Sequence, residues 1–118
     1  MKYEDMIVWQ KSMDLVEEVY LIVNLLPKTE LYALADQMKR AAVSIPSNIA
    51  EGQEKNTKKE LIHFLHIAKG SKGELETQLL ICLRLKFLSQ SQIEVAQKLL
   101  REIGKMLNAI IGKLASSL

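Results

Sequence analysis

One cysteine, two prolines and five glycines are all that this 118-residue chain has of the residues that staple or punctuate small folds. A lone Cys82 excludes an intramolecular disulfide and a thiolate zinc site. It sits in the apolar run LLICLRL and reads as a small buried hydrophobe. So few turn residues exclude an all-β chain, which needs a turn signal every ten residues or so. Aromatics are 5% of the sequence, so any core must be built from Leu, Ile, Val, Met and Ala, which suits helix-on-helix packing. No apolar run approaches the roughly 20 residues that cross a bilayer. The opening MKYEDMIVWQ has early acids and no apolar stretch, so no secretory signal is expected, and a soluble cytoplasmic protein is.

What is present is ordinary for a folded chain: 48% hydrophobic and 25% charged residues. The length fits one domain, residues 1–118. The net charge of +2 demands no polyanionic partner, but it is unevenly spread. Residues 1–30 hold three lysines against six acids, and the remainder thirteen cations against eight acids.

Four helical segments are legible. From Asp5 to Leu26, Trp9, Met13, Val16, Tyr20 and Val23 form one stripe. Val8, Leu15, Val19, Ile22 and Leu26 form a second, about 100° away. That apolar arc is wider than a bundle helix needs, and Leu21 and Leu25 on the polar side point to a subunit contact. Pro27 is expected to end the helix. Thr29 reads as the N-cap of the next, in which Leu31, Leu34, Met38, Ala42, Ile45 and Ile49 keep one phase across Pro46. Unbroken phase predicts one helix over 30–51, bent at Pro46 and ended by Gly52 as a C-terminal cap.

Thr57 and Glu60 spell a capping box for a third helix, with Leu61, Leu65, Ala68, Leu75, Leu79 and Cys82 inward. Gly70 and Gly73 fall inside it. Each costs about 1 kcal/mol relative to alanine, which predicts close approach of another helix. Ser91 and Glu94 suggest a second box, after which Ile93, Ala96, Leu100, Ile103, Leu107, Ile110 and Leu114 repeat at 3-4 spacing. The expected fold is all-α: an antiparallel up-down four-helix bundle with a proline-kinked second helix.

Chemistry is harder to find. Gln37, Ser44, Asn48 and Glu51 line one helix, and Ser71, Glu74 and Gln78 another. They read either as an active site or as an interhelical hydrogen-bond network, and the lack of a strong nucleophile–base pair favours the network. Arg40 is a candidate partner for Glu51 or Glu74. A carboxylate-bridged di-iron centre needs two Glu-x-x-His pairs; only Glu60–His63 is present, and His66 lacks its glutamate. Gly70-Ser71-Lys72-Gly73 follows no strand, so it is not a phosphate loop. No catalysis and no cofactor are expected. Cations remain: Lys55, Lys58 and Lys59 at one loop, and Lys98, Arg101 and Lys105 along the fourth helix. Either set suits phosphate contacts, although Glu54, Glu60 and Glu102 lie among them and no stacking aromatic accompanies them.

The run Ser44-Ile45-Pro46-Ser47-Asn48-Ile49-Ala50-Glu51-Gly52, joined to Gly70-Ser71 and Glu74-Leu75-Glu76, resembles a small bacterial family. It is the four-helix-bundle family whose founding members are encoded in intervening sequences of 23S rRNA genes. The likeness covers nearly the whole chain. Lys39-Arg40 stand where the family usually has a basic pair, and Lys72 where an apolar residue is commoner. The resemblance implies a non-enzymatic homo-oligomer, a pentameric ring, with rRNA or other structured RNA as partner. The competing reading is a protein-interaction module without nucleic acid.

Overall fold

The computed structural model describes residues 1–118. Four helices, α1 (Ile7–Val23), α2 (Leu34–Gln53), α3 (Lys58–Arg84) and α4 (Gln90–Ser116), follow one another, with single 3-10 turns at Tyr3–Asp5 and Lys28–Glu30. Each helix packs on its two neighbours in cyclic order, while α1–α3 and α2–α4 have no Cα pair within 8 Å. That is the square, antiparallel up-down bundle, 46 × 23 × 20 Å overall.

Its core follows the predicted stripes. Leu15 and Val19 of α1, Met38, Ala42, Ile45 and Ile49 of α2, Leu65, Ala68, Leu75, Leu79 and Cys82 of α3, and Ile93, Ala96, Leu100, Ile103 and Leu107 of α4 are 0% exposed. Each large aliphatic among them contributes about 1.5–3 kcal/mol of burial. The Trp9 stripe of α1 is only half-covered: Met13 and Tyr20 are exposed, and Leu21 and Leu25 more so.

α2 is continuous through Pro46. Proline has no N–H, so the carbonyl of Ala42 loses its helical donor there, and the shared phase of Ile45 and Ile49 holds the segment helical through burial. The helix ends, however, sit elsewhere than expected. α1 stops at Val23, four residues before Pro27, with Leu25 and Leu26 N–H groups tightening onto Ile22 and Val23. Thr29 is no cap but part of the Lys28–Glu30 turn, and α2 starts only at Leu34 because Ala33 leaves helical geometry. Gly52 lies inside α2 and has no positive φ. Its missing side chain serves packing instead: a Cβ there would lie 2.9 Å from Phe64 Cβ and 3.0 Å from Leu61 Cδ1.

Thr57 does cap α3, accepting from the Glu60 N–H at 3.1 Å. The α4 box opens two residues earlier than expected, with Ser89 N–H donating to Gln92 Oε1 at 2.9 Å. A Cβ at Gly70 or Gly73 would meet no atom within 4 Å, so no neighbouring helix of this chain requires their missing side chains. α3 ends in a left-handed residue that is not glycine: Lys86 has φ 61°, and the Phe87 N–H reaches back to Cys82 O at 2.9 Å.

Candidate nucleic-acid interface

Of the predicted polar stripes, three residues join. Asn48 Nδ2 donates to Ser44 Oγ at 2.9 Å and to Ser44 O at 2.8 Å, and Ser44 and Ser71 share a hydroxyl hydrogen bond of 2.8 Å across α2–α3. Gln37, Glu51 and Glu74 are exposed and outside this network. Arg40 pairs with Asp36 at 3.0 Å, one turn away on its own helix, in place of Glu51 or Glu74. Gln78 is 5% exposed and its Oε1 has no partner. The arrangement fixes α2–α3 register and aligns no nucleophile with a base. No three His, Cys, Asp or Glu side chains converge as metal ligands.

The cations sort onto separate faces. Lys98, Arg101 and Lys105 lie within a 60° arc, roughly, of the α4 surface that borders α3. Opposite them, α3 presents Lys69 and Lys72. Lys72 reaches over the seam, so that a Cβ on Gly104 would lie 2.6 Å from its Cε, and pairs with Glu76 at 3.1 Å. Lys58 closes the far end of the seam, donating to Ser117 Oγ at 3.0 Å. Between the helices runs a groove of about 440 Å³ lined by Gly73, Glu76, Thr77, Leu80, Gln97 and Arg101. Six cations thus flank one face against Glu76 and Glu94.

Other predicted contacts lie away from this face. Lys39 and Arg40 border the α1–α2 groove, where Lys39 Nζ stands 5.3 Å from the Tyr20 ring. Lys55 stands over the Phe64 ring at 5.4 Å, so an aromatic does accompany one lysine of that loop, contrary to expectation, and Lys59 is exposed at the head of α3. Lys69 was missed because its neighbours in the chain say nothing of Arg101; only the α3–α4 pairing brings the two helices' cations to one face.

The family model for the 23S rRNA-intervening sequence protein matches residues 4–109. The chain belongs to that family. The matched span contains every candidate phosphate contact from Lys39 to Lys105. Among solved structures, the chain is similar to a protein of unknown function from the S23 ribosomal protein family of Bacteroides thetaiotaomicron VPI-5482. The two share 25% identity over 89% of this chain and 98% of that one, with a TM-score of 0.83. Comparison with curated proteins finds no match. For an intervening-sequence protein the all-helical bundle is thus common ground with its solved relative. No helix is long and apolar enough to cross a membrane.

Proposed function

We propose that this family member is a non-enzymatic, cytoplasmic bundle that binds structured RNA through the α3–α4 face. The observation that carries the reading is the concentration of Lys69, Lys72, Lys98, Arg101 and Lys105 on one groove, with Lys72 alone held in an ion pair among them. Cations so placed displace counterions from a phosphate backbone, and the absence of a stacking ring beside them favours paired over single-stranded RNA. Structured RNA of the kind transcribed with 23S rRNA intervening sequences is the natural candidate, given the family. Assembly into a homo-oligomer, a pentamer by preference, would multiply a face that is weak in one copy. The exposed Met13, Tyr20 and Val43 beside Trp9 on the α1–α2 groove supply apolar surface for that self-contact.

Affinity for a labelled rRNA hairpin measured across a salt series tests the reading. Three to five phosphate contacts per copy predict a log–log slope of about −3 to −5 or steeper. Binding that ignores salt, or is absent even at low salt, overturns it and leaves the protein-interaction module in its place.

A further inference from the structure

We propose that the opposite seam, between α1 and α4, is a docking groove for a basic amphipathic helix of a partner protein. The proposal is independent of the RNA reading and rests on a different face. Ile7, Lys11, Asp14, Glu18 and Leu21 share the α1 flank that borders α4, with Leu25 one turn on. Ile7 is 59% exposed, Leu21 65% and Leu25 53%; across the seam Val95 is 56% exposed. Leu99, Met106 and Ile110 lie half-buried between them. At one end the seam opens into a hollow of about 480 Å³ whose lining includes Met1, Met6, Ile7, Met106, Ala109 and Ile110. Three unbranched methionines there can adjust to more than one incoming side chain.

Charge selects the occupant. Lys11 and Glu102 bridge the two helices at 3.1 Å and neutralise each other. Asp5, Asp14 and Glu18 remain, none in an ion pair, against Lys113. A mostly apolar floor with acidic walls fits a helix carrying leucine-like residues at i, i+3, i+4 and i+7 and lysine or arginine beside them. From Ile7 to Leu25 the seam takes a helix of about 18 residues, roughly 27 Å.

Fluorescence anisotropy of the full chain with a labelled 18-residue Leu/Lys amphipathic helix, and with its Leu/Glu counterpart, tests this. The Leu/Lys peptide should bind at least about tenfold more tightly than the Leu/Glu peptide, a difference that charge complementarity must supply. Ile7→Gln with Leu21→Gln, and separately Asp14→Asn with Glu18→Gln, should each weaken it about tenfold, as expected for lost anchors and lost partners. All four positions are on the surface, so folding is retained, and circular dichroism confirms it. Because the only native thiol, Cys82, is buried, Val95→Cys gives a single labelling site from which a photo-crosslinker should capture the peptide. Failure of both peptides to bind, equal binding of the two, or unchanged affinity in the neutral variants overturns the proposal. So does dissociation of an oligomer by Ile7→Gln with Leu21→Gln, which would make a second copy the occupant.

Discussion

Alanine at position 52 should weaken the fold where alanine at positions 70 and 73 strengthens it. All three glycines lie within helices, Gly70 and Gly73 mid-helix and Gly52 in the last turn of α2, so intrinsic propensity favours alanine by up to about 1 kcal/mol each. What differs is space. At Gly52 the new methyl would sit 2.9 Å from Phe64 Cβ and 3.3 Å from the Leu61 carbonyl oxygen, both fixed close to the α3 backbone. Relief requires α2 and α3 to part, and such overpacking costs about 1–3 kcal/mol. The net effect is a loss of about 1 kcal/mol after the propensity gain. Gly70 and Gly73 have nothing within 4 Å, so the propensity gain stands alone and the double variant should gain about 2 kcal/mol. For a domain of this size a kcal/mol moves the midpoint by roughly 4 °C. Thermal melts followed by far-UV circular dichroism should place Gly52→Ala about 4 °C below the parent and the double variant about 8 °C above it. A Gly52 variant as stable as the parent, or a double variant less stable, would show that the packing argument is wrong.

Three further outcomes follow from single side chains. Gln78→Met removes a buried acceptor without a partner and should raise stability by about 1 kcal/mol in urea titration, since an orphaned polar group carries its desolvation cost undiminished. Lys86→Gly relieves a left-handed residue at the end of α3 and should stabilise by about 0.5–1 kcal/mol despite glycine's larger unfolded-state entropy. Burial and the nearby Glu30 carboxylate push the Cys82 thiol up from 9.0 to about 11. The folded pKa being the higher one, this contribution is intact below pH 9 and is lost as pH rises toward 11. Urea midpoints should therefore fall more steeply over that window for the parent than for Cys82→Ala.

The parts of the fold written within one helix were legible, and those set between helices were not. Ile93 to Leu107 announce α4 by phase alone, and Ile49 holding the phase of Ile45 discloses that α2 runs through Pro46. Thr29-Glu30 misleads because a capping residue needs helical geometry after it, and Leu31 to Ala33 turn instead. Gly70 and Gly73 show that glycine in a helix records a missing side chain but not which neighbour requires its absence; Gly52, read as a terminator, is pressed against α3. The α3–α4 face was half-visible. Lys98, Arg101 and Lys105 fall on one stripe, but Lys69 joins them only through the crossing of two helices, and Lys39-Arg40, equally basic in sequence, end on the far side beside Tyr20 and Asp36.

The most direct measurement compares those two faces on the same RNA. Lys98→Glu with Arg101→Glu and Lys105→Glu should lower affinity for an rRNA hairpin by about a hundredfold at low salt and flatten the salt slope. Lys39→Glu with Arg40→Glu should leave both nearly unchanged. Equal losses on the two faces, or a loss confined to the Lys39–Arg40 side, would contradict the assignment of RNA to the α3–α4 groove.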